Sequence, residues 1–138
     1  MNHFLTIWSI ITFIEKRIKT KIPYAGLEKA AGFSLAHIRD IFARHTGRPL
    51  HAYVVERKIA NAAFEICHTD QTITAVADSY GFSGPDTFTR AFRRVTGLTP
   101  SAFRKKKIPV GRIKLCAGVY GVGFLWDVKK MKGFDANE

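Results

Sequence analysis

Two stretches of this chain repeat each other, and the repeat limits the fold more than any other feature. Gly32-Phe33-Ser34 matches Gly81-Phe82-Ser83 at an offset of 49; Phe42, Arg44, Thr46 and Gly47 match Phe92, Arg94, Thr96 and Gly97 at an offset of 50. One residue is inserted between the two blocks, near Gly84-Pro85. Each copy reads as a short helix, a glycine turn and an amphipathic helix that ends in Thr-Gly. Glycine suits such turns because it takes positive φ without a Cβ penalty. The pattern is that of a helix-turn-helix, whose second helix enters the major groove of DNA. A single helical hairpin is common in helical proteins; two copies with the same punctuation are much more specific.

Very little of residues 1–105 alternates with period two, and the apolar positions recur at three and four, so the chain reads as all-α. A first helix is predicted over Phe4–Ile18, closed by Ile22-Pro23 because a residue before proline leaves the helical region. Leu27–Ala31 forms a second. Ser34 caps a third, Leu35–Arg44, with Leu35, Ile38, Ile41 and Phe42 on one face. Pro49 takes the first position of a long helix ending near His68, with Leu50, Tyr53, Val54, Ile59, Ala63, Phe64 and Cys67 as candidate core. Thr72 or Thr74 caps the next, which carries Ile73, Val76, Ala77 and Tyr80. Pro85–Val95 buries Phe88, Ala91 and Phe92, and Thr99-Pro100 opens a last helix through Phe103. At ~1.5 Å per residue the long helix spans ~28 Å. Successive major grooves lie ~34 Å apart, so it is of the right order to hold two recognition helices one turn apart.

Charge narrows the partners. The 138 residues carry 22 Lys and Arg against 11 Asp and Glu, a net +11, and 46% are hydrophobic. That apolar share separates the chain from a disordered basic tail, so the charge is displayed on a folded body. Nucleic acid, an anionic membrane or an acidic protein are the partners that fit. Two cysteines, Cys67 and Cys116, make no disulfide scaffold and read as reduced. The apolar run at 4–14 has no Lys or Arg before it and no cleavage site after it, and is shorter than the ~20 residues of a membrane span. It reads as the buried first helix of a cytoplasmic protein with no membrane partner, with Trp8 in core or N-terminal packing. Phosphate-loop and hydrolase motifs are absent. The histidines are scattered, and no catalytic site, metal or cofactor is expected.

The span from about Ile10 to Lys105 resembles the DNA-binding domain of AraC/XylS-type bacterial transcription regulators. The resemblance is most specific over Ile73–Arg104, where Gly81-Phe82, Phe88, Arg90, Phe92, Gly97, Thr99-Pro100 and Arg104 match the family's signature. Leu27–Ser34, Phe42 and Gly47–Tyr53 support it in the first half. It implies two helix-turn-helix units joined by a long central helix, a DNA-binding domain over 1–107 and a double-stranded DNA partner. The units fall at about 27–47 and 72–97, with the linker helix at about 49–68. It also implies an activator that contacts RNA polymerase.

Carried over by position, Ala36, Arg39 and Asp40 on the first recognition helix lie where such proteins read bases. On the second, Pro85, Asp86, Thr87, Thr89 and Arg90 do. Arg39 and Arg90 suit bidentate contact with guanine, worth ~1–3 kcal/mol of discrimination. Thr87 and Thr89 suit a thymine methyl or a phosphate. Asp40 and Asp86 repel phosphates, so each either accepts from cytosine or orients an arginine, and Asp86 is equally a candidate helix cap. Gly84-Pro85 reads more as helix initiation than as base reading. Arg44, Arg48, Arg93, Arg94 and Lys105 are the phosphate candidates. With some 5–7 such contacts, log K against log salt should slope at about −5 to −6.

Residues 108–138 differ in composition. Val110–Trp126 is rich in glycine and β-branched or aromatic residues and reads as one or two short strands. The tail is a linker, a docking segment or a fragment of a further domain. Few residues precede the first helix, so an effector would act through a missing or truncated domain. The alternative to DNA binding is a basic helical module that docks on a membrane or a protein through its apolar first helix.

Overall fold

The computed structural model describes residues 3–106, and over them the chain is all-α. Seven helices follow in order: α1 (Phe4–Lys16), α2 (Tyr24–Ala31), α3 (Leu35–Thr46), α4 (Leu50–His68), α5 (Ile73–Ser79), α6 (Pro85–Thr96) and α7 (Pro100–Lys106). The strands expected in the tail lie outside the described residues. No helix among those described is long and apolar enough to cross a membrane.

Two hydrophobic cores meet along α4. The first gathers Ile7, Ile10, Ile11 and Ile14 of α1 with Leu27, Ile38, Ile41 and Phe42, and takes Leu50, Tyr53 and Val54 from the start of α4. The second packs Ile59, Ala62, Ala63 and Ile66 of α4 against Val76, Ala77, Tyr80, Phe88, Phe92 and Phe103. Each core carries one helix-turn-helix: α2–α3 on the first, α5–α6 on the second. The spacing of the isoleucines on α1 at i, i+3, i+4 and i+7 explains why that helix buries one stripe.

The two units share their punctuation down to single bonds. Gly47 and Gly97 close α3 and α6 with φ of 76° and 85°. Before each, a threonine hydroxyl turns back on its helix. Thr46 Oγ1 donates to the Phe42 carbonyl at 2.7 Å and accepts from the Arg48 N–H at 3.2 Å. Thr96 Oγ1 does the same with Phe92 at 2.8 Å and Leu98 at 3.1 Å. Gly32 and Gly81 turn the two hairpins at φ 78° and 76°.

Several boundaries differ from the sequence expectation. α1 stops at Lys16 rather than Ile18. The chain tightens there, with the Arg17 N–H on the Ile14 carbonyl at 3.0 Å, and Ile18 stays buried outside the helix. α2 starts at Tyr24, directly after Pro23, three residues before the expected Leu27. Pro49 stands just before α4, in extended backbone, rather than as its first residue. Of the two threonines offered as caps, Thr72 is the one used; its Oγ1 accepts from the Ala75 N–H at 3.0 Å. Asp86 does not cap α6: Gly84 holds that position with no side-chain bond, Pro85 opens the helix, and Asp86 follows in its first turn. Phe64, expected in the core, is exposed and stacks on His68 instead. Its 53% exposure follows from α4 turning that face away from both cores. Trp8 is likewise exposed, stacked on Phe4 at the open side of α1.

Candidate nucleic-acid interface

α3 and α6 are prepared at their N-termini by different means. Ser34 Oγ accepts from the His37 N–H at 3.3 Å, and Glu28 of the preceding helix accepts from the Leu35 N–H at 2.7 Å. α6 relies on Pro85, whose fixed φ suits a first helical residue and which has no N–H to satisfy. Ser83 Oγ and Thr87 Oγ1 lie 3.1 Å apart across the turn. Phe88 anchors α6 from below, against Phe82 and Phe92, with ring centroids at 5.1 and 5.6 Å.

On α3 the expected base readers Ala36, Arg39 and Asp40 are exposed, and on α6 Pro85, Asp86, Thr87 and Arg90 are exposed while Thr89 is half-buried. Arg39 lies near enough to the Tyr24 phenol to act on it electrostatically, although burial dominates and pushes the Tyr24 pKa up. Asp40 is held by Arg44 at 2.5 Å, one helical turn along. Of its two expected alternatives, the structure places Asp40 beside an arginine, and that arginine is one of the phosphate candidates.

The phosphate candidates divide in two. Arg93, Arg94 and Lys105 are exposed, and no ion pair engages them among the described residues. Arg48 is different. Its guanidinium forms an ion pair with Glu56 on α4, and the two side chains are 23% and 15% exposed. That pair ties the α3–α4 turn to the helix that follows.

Between the two units lies an open cleft of about 810 Å³. Lys21 and His51 line it from the first unit, Arg90 and Arg94 from the second, over a floor that includes Val54, Val55, Lys58 and Ala91. Lys21, His51 and Lys58 were not expected from sequence. The first two sit in a turn and on an exposed helix edge, where a cation gives no periodic signal. Lys58 did leave a trace: it interrupts an apolar stripe at i, i+4 spacing, Val54–Lys58–Ala62.

Two helix-turn-helix units of one construction, on a shared helix and with unpaired cations on the second recognition helix, define a double helix-turn-helix DNA-binding module. The comparisons agree. The helix-turn-helix domain model matches residues 27–106. The multiple antibiotic resistance protein MarA of Escherichia coli is 28% identical over 100 residues, covering 72% of this chain and 79% of that one. The transcriptional activator AarP of Providencia stuartii is 26% identical over 95 residues, covering 69% and 70%. A crystal structure of an AraC-type DNA-binding-domain regulator from Chromobacterium violaceum has the same fold, with a TM-score of 0.69 at 18% identity over 75% of this chain and 92% of that one. The chain belongs to the AraC-type helix-turn-helix family of DNA-binding transcription regulators.

Proposed function

We propose that one copy of the chain binds an asymmetric DNA site by placing α3 and α6 in successive major grooves. The observation that carries this reading is the single 19-residue α4 that enters both cores. Its length of ~28 Å is close to the ~34 Å of one DNA turn. In this reading Ala36, Arg39 and Asp40 face bases from α3, and Asp86, Thr87, Thr89 and Arg90 face them from α6. Pro85 opens α6 and contacts the groove only by shape. Arg93, Arg94 and Lys105 take phosphates, and Arg44 does so once it leaves Asp40. Arg48 is withdrawn from the phosphate set because Glu56 holds it.

The proposed DNA-binding domain spans 1–107, with 108–138 a linker or part of a further domain through which an effector would act. The likeness to AarP, a transcriptional activator by name, supports an activating role; contact with RNA polymerase in the bacterial cytoplasm completes the proposal. A binding role of this kind requires no catalytic step. The docking alternative has one observation in its favour, the exposed Leu5 and Trp8 on α1. Salt-sensitive co-sedimentation with anionic vesicles, with no preference among DNA sequences, would establish it.

Selection from a randomised DNA library tests the main reading. Two short preferred elements about 10 base pairs apart are expected. Arg39→Ala and Arg90→Ala should each relax preference within one element only. A single element, or wild-type preference in both variants, would refute it.

A further inference from the structure

The two units are joined by more than α4. Lys58, only 8% exposed near the middle of that helix, reaches into both halves. Its Nζ donates to the Ile18 carbonyl at 3.0 Å and the Thr20 carbonyl at 2.5 Å, both in the turn after α1. It also donates to the Tyr80 carbonyl at 2.8 Å, at the end of α5. All three ammonium protons are thereby matched to acceptors, two in the first unit and one in the second. The Ile18 and Thr20 carbonyls lie in the segment that follows α1, where no helix supplies them with N–H partners.

The same contact is close at the backbone. A Cβ on Gly81 would stand 3.3 Å from the Lys21 nitrogen, so the turn of the second helix-turn-helix rests directly on the turn of the first unit. Side chains bracket the junction. Lys19 pairs with Glu65 at 3.3 Å, and Glu65 accepts from the Tyr80 hydroxyl. On the first-unit side Glu15 takes a bidentate contact from Arg57 at 2.7 and 2.8 Å and a bond from Tyr53 at 3.0 Å.

A helix fixes the separation of two bodies, but each body can still rock or roll where it packs on that helix. A second link, away from the helix axis, removes those freedoms. One added base pair moves a groove by about 3.4 Å and turns it by about 35°, which a rigid pair of recognition helices cannot follow. We propose that Lys58 is a positioning residue that sets the spacing between the two DNA elements this regulator accepts. It touches no DNA itself. The proposal rests on the two-groove reading above.

The test uses the full chain and the DNA site chosen by selection, with none, one or two base pairs inserted between its elements. Affinity is measured for wild type, Lys58→Met and Lys58→Arg, alongside each element alone. Wild-type affinity should fall at least about tenfold per inserted pair. K58M should keep its affinity for single elements, lose most on the uninserted site, and show a penalty below about threefold per insertion. K58R, which keeps charge and donors, should restore the wild-type ratio. A fall in K58M that is equal at every spacing, the mark of plain destabilisation, would overturn the proposal; so would unchanged ratios. Should K58M fail to fold, Lys58→Gln is read by the same ratios. If wild type itself ignores spacing, the two-groove reading fails instead, so the two failures are distinguishable.

Discussion

Asp40 and Arg90 occupy equivalent places in the repeat, 50 residues apart, and this one difference sets the two recognition helices against each other electrically. On α3, Asp40 meets Arg44 a turn later and neutralises it. On α6 the same pair of positions holds Arg90 and Arg94, both cationic and neither ion-paired among the described residues. The Asp40–Arg44 pair is well exposed, so it holds Arg44 weakly. Asp40→Asn should therefore release Arg44 to phosphate and raise DNA affinity. The slope of log K against log salt should steepen by up to about 0.9. A changed base preference with no change of slope would instead mark Asp40 as a base reader. Lys58 offers a second measurement at this scale. Burial pushes its pKa down from 10.5 to about 8, against the pull of the three carbonyls on the charged form. Between those values the unfolded chain keeps the proton that the folded chain has released, so stability at this site rises with pH. Thermal melts of wild type and K58M from pH 7 to pH 10 should show the difference moving in favour of wild type across that window. A constant difference would show that Lys58 does not titrate there.

Helix ends show how the elements are held. Gly47 and Gly97 have left-handed φ, and a Cβ on either meets nothing within 4 Å. The cost of a side chain there is backbone strain alone, so Gly47→Ala and Gly97→Ala should each lose about 1–2 kcal/mol, by similar amounts. Gly84 is the contrast. Its φ of −178° is extended, and a Cβ there also meets nothing. Gly84→Ser should gain a few tenths of a kcal/mol by supplying the cap that α6 lacks. Chemical denaturation of the three variants checks both. These ends also explain what is legible in the sequence. The bounds of α4 can be read because Pro49 and Thr69-Asp70 act within a residue or two, and the two Thr-Gly stops announce themselves by repetition. The end of α1 cannot be read, because Lys16-Arg17-Ile18 continues a good helical pattern. The segment that replaces further helix there is held by an ammonium 40 residues along the chain, on the Ile18 carbonyl. Phe64 fails for a related reason: periodicity marks a stripe, and only the packing of both units shows how wide that stripe is. The proposed base-reading positions follow from the family resemblance; Lys21, His51 and the fate of Arg48 follow from contacts between elements.

At the scale of the molecule, a net charge of +11 overstates what DNA meets, because many cations hold the fold together. Arg57 serves Glu15, Lys19 serves Glu65, and Lys58 serves three carbonyls. Arg104 binds α7 to the end of α4 and to the turn after it, with bonds to the Ile66 carbonyl at 3.0 Å and the Gln71 carbonyl at 2.6 Å. Arg48 joins this group through Glu56, whereas Arg94 is exposed and ion-pairs with no described residue. The two arginines should therefore separate stability from binding. Arg48→Gln strands a mostly buried carboxylate, which should cost about 1–3 kcal/mol and lower the melting temperature while the salt slope holds. Arg94→Gln should leave the melt alone and make the slope shallower by about 0.9. Both rest on one pair of measurements, a thermal melt and a salt titration of DNA binding. If Arg48→Gln changes the slope as Arg94→Gln does, the guanidinium leaves Glu56 when DNA arrives. The phosphate-contacting face then extends into the α3–α4 turn.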